Sequence, residues 1–178
     1  MQQRGVLARN AVVVTVMTNL GFKLAMRDAG IDVIETGVGD RYVLEALERD
    51  QLSLGGEQSG HIIFRDRSTT GDGLLSAVQL LDVVQRRKQP LSELADAAMT
   101  SLPQVLENAR IEGDAKALVA ELGPAIAEVE ASLGGDGRVL VRPSGTEPLI
   151  RVMAEAKDLH EAQQAVDTLL RTLAEQAP

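Results

Sequence analysis

Val12 to Val16 is a run of apolar and β-branched positions with no charged residue alternating through it. That is the pattern of a parallel strand covered on both faces. Asn19 is placed to cap a helix whose Leu20, Leu24 and Ala25 share one face, and Gly30 stands where such a helix commonly stops. A second apolar strand is expected over Ile31 to Glu35. The glycine turn Gly37-Val38-Gly39-Asp40-Arg41 then opens a helix from Arg41 to Arg49. Strand, helix, strand, turn, helix is the order of a βαβ unit in a parallel sheet. Leu52-Ser53-Leu54 and Ile62-Ile63-Phe64 flank the loop Gly55 to His61 as short strands. Leu74, Val78, Leu81 and Val84 recur at helical spacing, predicting a long helix from Leu74 to Arg87 stopped by Pro90. A short helix capped by Ser92 and running to Met99 follows, and Pro103 closes this half.

Beyond Pro103 the pattern changes. Residues 114–133 read as helical but are broken at Gly123-Pro124, which fits two short helices or one kinked helix. Gly134 to Gly137 is a turn. Arg138 to Val141 and Leu149 to Glu155 are strands around the loop Arg142 to Pro148. Asp158 and Glu161 have capping-box spacing at the start of a final helix that lines up Leu159, Ala162, Val166, Leu169 and Leu173 on one face. A small antiparallel sheet with helices on one side accounts for this half.

Composition narrows the function. Eighteen Lys and Arg against 26 Asp and Glu leave a net charge of −8, which repels a polyanion and argues against nucleic-acid binding. Phe22, Tyr42 and Phe64 are the only aromatic residues, so no stacking platform exists for single strands. The absence of cysteine excludes disulfides and thiol catalysis. The segment Arg4 to Met17 imitates a short signal peptide but lacks a small-residue cleavage site, and no apolar stretch approaches the ~20 residues needed to span a bilayer. A cytoplasmic protein without membrane contact is expected.

Three loops carry candidate chemistry. In Arg142-Pro143-Ser144-Gly145-Thr146-Glu147-Pro148, Arg142 offers a planar fork for two phosphate oxygens. Ser144 and Thr146 add hydroxyls, and Gly145 lets the main chain approach an anion. Composition alone equally fits a plain hairpin turn, since Pro, Ser, Gly and Thr are all turn residues. Gly55-Gly56-Glu57-Gln58-Ser59-Gly60-His61 crowds hydrogen-bonding groups together. Glu57 there is either a reader of vicinal sugar hydroxyls or a surface charge, and His61 fits a structural or orienting role better than a catalytic one. Gly37 to Arg41 precedes a helix N-terminus that favours anions, and Arg41 extends from it. Asp40 serves equally as a cap or a site residue. Thr70-Gly71-Asp72-Gly73 is explained by helix capping. No dinucleotide fingerprint, Walker loop, nucleophile elbow or paired histidine ligands occur.

Gly56 to His61 followed downstream by Arg142 to Pro148 resembles the α-D-phosphohexomutase superfamily. The Gln58 form of the first loop, together with Val38-Gly39-Asp40-Arg41-Tyr42-Val43, is most similar to its bacterial phosphoglucosamine mutase family. The resemblance implies an α/β chain: a truncated three-layer α/β/α domain with a mainly parallel sheet over residues 1–105, then a small α+β domain, an antiparallel sheet with helices on one face, over residues 106–178. These would be domains 3 and 4 of a four-domain enzyme, with domains 1 and 2 as missing partners. It implies sugar contacts from Glu57, Ser59, His61 and Arg41, and phosphate contacts from Arg142, Ser144, Gly145, Thr146 and Arg151. It also implies a hexosamine phosphate substrate, a glucosamine 1,6-bisphosphate or glucose 1,6-bisphosphate intermediate, and Mg2+ in the intact enzyme. The phosphoserine loop (Ser-His-Asn) and the metal loop (Asp-x-Asp-x-Asp-Arg) do not occur in this sequence, so the chain alone is expected to be inactive. Relatives acting on mannose or glucose phosphates, and a non-catalytic phosphosugar-binding module, are the alternatives. Pairing of the truncated sheet edge with another copy is expected to permit a homodimer that is not physiological.

Overall fold

The computed structural model describes residues 1–145 and 147–176. The chain falls into two units, residues 1–100 and 101–178. The first is built on a four-stranded sheet of order β2-β1-β3-β4, formed by β1 (Ala11–Thr15), β2 (Asp32–Thr36), β3 (Leu54–Gly56) and β4 (Ile62–Phe64). β1 runs parallel to β2 and to β3, and β4 returns antiparallel on the edge. Every residue of β1 is buried, as the absence of polar alternation predicts.

Helix α1 (Leu20–Asp28) begins where Asn19 accepts from the Gly21 N–H, and Gly30 leaves it in the left-handed region. Helix α2 (Asp40–Arg49) packs Val43, Ala46 and Leu47 with Ala11, Val13, Leu52 and Ile63 into the core of this unit. β1 and β3 meet α2 closely because Gly55 lacks a side chain. A Cβ there would lie 2.7 Å from Val43 Cγ1 and 2.9 Å from the Val13 carbonyl oxygen.

Helix α3 (Gly73–Arg87) starts at Asp72, whose carboxylate accepts from the Leu75 N–H. Its predicted stripe does not face a core. Leu74 is 82%, Val78 59% and Leu81 65% exposed, while the partly buried positions are Leu75, Ser76, Gln79 and Val84. The helix also ends before Pro90 acts, at Lys88 in the left-handed conformation. Pro90 rather than Ser92 stands at the N-cap of α4 (Leu91–Ala98), so Ser92 lies inside that helix.

The second unit holds an antiparallel sheet of order β5-β7-β6, from β5 (Gln104–Arg110), β6 (Arg138–Pro143) and β7 (Leu149–Glu155). Gly123-Pro124 separates two helices, α5 (Ala115–Glu121) and α6 (Gly123–Leu133). Helix α7 (Leu159–Gln176) buries Ala162, Ala165, Val166, Leu169 and Leu173, but Leu159 is exposed in its first turn. Asp158 accepts from the Glu161 N–H, whereas the Glu161 carboxylate pairs with Lys157. The helices pack on Val139, Ile150, Val152 and Ala154.

Strand β5 has no counterpart in the sequence pattern. Its partly buried positions are Val105, Glu107 and Ala109, with a carboxylate in the middle. Gln163 of α7 donates to that carboxylate at 2.8 Å. Replacing Gly55 with Ala should overpack the β1–β3–α2 junction and cost about 1–3 kcal/mol, read as a lower urea midpoint with the slope unchanged.

Candidate functional site

The first unit brings two of the three candidate loops together. β3 and β4 pair on either side of the loop through Gly56 and Ile62. Inside it the Glu57 N–H donates to the His61 carbonyl at 2.9 Å, and the Gly60 N–H to the Glu57 carbonyl at 3.1 Å. This tight turn points the Glu57 carboxylate toward the start of α2, where the Gly39 N–H donates to Oε1 at 2.6 Å. The Ser59 hydroxyl donates to Glu57 Oε2 at 3.1 Å. Its Oγ lies 3.2 Å from His61 Nδ1. A hydroxyl has one proton. Once Ser59 gives it to Glu57, the remaining contact requires the proton on Nδ1, which donates to Ser59 Oγ. Glu57 is thus well enclosed while Ser59 and His61 stay exposed. An acceptor flanked by a hydroxyl and an imidazole suits vicinal hydroxyl groups.

Arg41 is turned to other use. Its Nε donates to Glu45 at 2.7 Å, one helical turn on, and the side chain is exposed. Hydrogen bonding to Glu45 raises the guanidinium pKa above its ordinary value.

The candidate phosphate loop is organised by strand register. β6 extends to Pro143, so Arg142 and Pro143 belong to the strand rather than the loop. The Ser144 N–H closes the connection on the Leu149 carbonyl at 2.9 Å. Arg142 lies directly opposite Arg151, and Asn108 of β5 is opposite Arg151 on the other side. Asn108, Arg151 and Arg142 therefore form one row on the face away from Val139, Val152 and Ile150. Burial, and then the neighbouring charge of Arg151, hold the Arg142 guanidinium below its usual pKa. Arg151 Nε is buried without a hydrogen-bond partner. Its nearest carboxylate oxygen, Glu147 Oε2, is 4.0 Å from Nη2. Two cations side by side with an unused donor suit an anion with several oxygens. Gly145 is exposed at the loop tip. Thr146 lies outside the described residues.

At the other end of the same ribbon Arg138 faces Glu155, with Nε to Oε2 at 2.8 Å and Nη2 to Oε1 at 3.1 Å. Glu155 is completely buried. The sequence reading missed Asn108 and Arg110, which β5 presents on the Arg142–Arg151 face. Only the unpredicted strand could have revealed them. Among the described residues no group of three or more His, Cys, Asp or Glu side chains is placed to hold a metal ion. Nor is any helix among them long and apolar enough to cross a membrane. Arg138→Ala should cost about 3–5 kcal/mol, because it removes the cation paired with a buried carboxylate. Chemical denaturation measures that loss.

Known proteins supply a frame for this geometry. The family model described as "Phosphoglucomutase/phosphomannomutase, alpha/beta/alpha domain III" matches residues 1–102, and that of the C-terminal domain matches residues 88–172. A phosphoglucosamine mutase from Desulforudis audaxviator is 54% identical over 98% of this chain. One from Parafrankia sp. is 61% identical over 86% of it. The chain spans 39% and 33% of the lengths of these two relatives. The structure of Aspergillus fumigatus N-acetylphosphoglucosamine mutase matches 93% of the chain with 38% of its own, at a TM-score of 0.78 and 18% identity. That enzyme has also been solved with GlcNAc-6P and magnesium, and with glucose 1,6-bisphosphate. The structural likeness supports the fold, an α/β unit with a mainly parallel sheet followed by an antiparallel sheet with helices. By its sequence, the chain belongs to the phosphoglucomutase/phosphomannomutase family, carrying its domain III and its C-terminal domain.

Proposed function

We propose that this chain is the substrate-recognising part of a phosphoglucosamine mutase, an isomerase that interconverts glucosamine 6-phosphate and glucosamine 1-phosphate. The observation that carries the reading is the Arg142–Arg151 row with its buried, unpartnered donor. A phosphate oxygen there would accept from Arg151 Nε and relieve the repulsion between the two guanidiniums. Ser144 and Gly145 add to this cradle from the same loop. Glu57 and Ser59 take the ring hydroxyls, with His61 orienting Ser59. Arg41 reaches the ligand only by leaving Glu45, an exposed pair that solvent already weakens. Relatives named phosphoglucosamine mutase, 54% and 61% identical, favour the amino sugar over mannose or glucose.

In the longer enzyme a phosphoserine gives its phosphoryl group to O1 of glucosamine 6-phosphate. The 1,6-bisphosphate turns end over end, and its 6-phosphoryl returns to the serine, leaving glucosamine 1-phosphate. The serine and the magnesium ligands belong to sequence that these 178 residues do not contain. Magnesium, when bound, neutralises charge on the transferring group. Phosphoryl transfer depends largely on positioning and charge stabilisation. The residues here hold the phosphate that is not transferring and read hydroxyls that look alike in both orientations of the sugar.

Calorimetric titration with glucosamine 6-phosphate tests the reading. Charge-assisted hydrogen bonds contribute about 1.5–3 kcal/mol each, so Arg142→Ala should weaken binding at least tenfold. Arg142→Lys should recover only part of it, since an ammonium cannot offer two parallel donors. Unchanged affinity in both variants would remove the phosphate site. The chain alone should show no mutase turnover once host enzyme is removed, and measured turnover would contradict the division of labour. Comparing glucosamine, glucose and mannose phosphates on the full-length enzyme identifies the hexose.

A further inference from the structure

Glu57 and Gly39 belong to different loops, 18 residues apart, and one short hydrogen bond joins them. We propose that Gly39 is a positioning residue for sugar recognition: its main-chain N–H fixes the orientation of the Glu57 carboxylate. The inference rests on the reading of Glu57 as the group that accepts from ring hydroxyls.

Each carboxylate oxygen of Glu57 has one protein donor, the Gly39 N–H on Oε1 and the Ser59 hydroxyl on Oε2. The two donors differ in kind. Ser59 is an exposed side chain that turns about a single bond, and its other contact, His61, is exposed as well. Gly39 is the N-cap residue of a ten-residue helix, so its N–H is held by the main chain. The Gly39 bond therefore sets the plane of the carboxylate, and the Ser59 hydroxyl can exchange with a sugar hydroxyl without releasing it. The positive end of α2 reinforces this hold on a negative group. A carboxylate already fixed at the receiving angle loses less freedom when hydroxyls arrive.

The conformation of Gly39 makes the arrangement specific to glycine. Its φ is 133° and ψ 131°, a combination that L side chains rarely adopt. A Cβ at this position would also stand 3.3 Å from Tyr42 Cδ2. Relaxing φ to a negative value rotates the preceding peptide plane about the N–Cα bond and carries the N–H away from Glu57. A substitution at 39 thus acts on the carboxylate without altering any side chain of the 55–61 loop.

Titrating the 15N-labelled chain with glucosamine 6-phosphate, and separately with inorganic phosphate, tests the proposal by NMR. In the unsubstituted chain, glucosamine 6-phosphate should shift the Gly39 and Ser59 amides saturably, and inorganic phosphate should not. Gly39→Ala should lower affinity for glucosamine 6-phosphate about tenfold, while affinity for inorganic phosphate stays within about twofold and the amides of β1 keep their positions. Glu57→Gln keeps an oxygen acceptor but removes the charge, and should move the Gly39 amide proton upfield, a signature that a general loss of packing would not give. Undiminished glucosamine 6-phosphate affinity in Gly39→Ala, or an unmoved Gly39 amide in Glu57→Gln, overturns the proposal alone. Absence of any sugar-dependent shift in the unsubstituted chain overturns the reading of Glu57 and the proposal with it. If Gly39→Ala does not fold, the Glu57→Gln spectrum decides.

Discussion

Arg142 and Arg151 occupy directly opposed positions on neighbouring strands, where like charges repel most strongly. Their placement depends on register, and register is held at the far end of the same ribbon. There Arg138 and Glu155 satisfy each other through two hydrogen bonds in a buried setting. A slip of β6 by one residue would turn Arg138 and Arg142 toward the helices and leave the Glu155 carboxylate without Arg138. One end of the β6–β7 ribbon is therefore electrically neutral and fixed, and the other is positive and open to an anion. The fold supports a destabilising pair at one end through a strongly determined pair at the other.

The first unit solves a different problem with main-chain groups. Glu57 is a carboxylate in a nearly enclosed position, with no Lys or Arg among the described residues hydrogen-bonded to it. A backbone N–H and a hydroxyl serve it instead. These donors leave lone pairs available, whereas a guanidinium fork would occupy both oxygens. Recognition of a neutral hydroxyl favours such an uncommitted acceptor. Recognition of a phosphate favours the cation pair of the second unit.

Much of this was legible in the sequence where one strong periodicity dominated. The Val12–Val16 run and the Leu159, Ala162, Val166, Leu169, Leu173 stripe have a single reading each, and both are buried except at one end, where Val16 is partly exposed and Leu159 exposed. Strand β5 was hidden because Glu107 sits among its partly buried positions, and its acceptability depends on Gln163, a residue 56 positions away. The α3 stripe is a genuine helical pattern, but Leu74, Val78 and Leu81 have no covering surface in this unit. Loop composition exposed the candidate chemistry without its geometry. Nothing in the string from Gly37 to Arg41 announces that a glycine N–H meets Glu57, since main-chain donors leave no trace in residue identity. The row of Asn108, Arg151 and Arg142 likewise follows only from strand pairing.

Pro143 ends β6 on the outer edge of the second sheet. Edge strands tolerate proline because no outer neighbour needs its missing N–H. The same deficiency interrupts the ladder that an incoming polypeptide would need to extend along that edge. Small solutes can reach the ribbon tip, but a foreign strand would lose its grip one residue after Arg142. The proline therefore makes the positive end of the sheet a poor template for strand addition and fibril-like stacking.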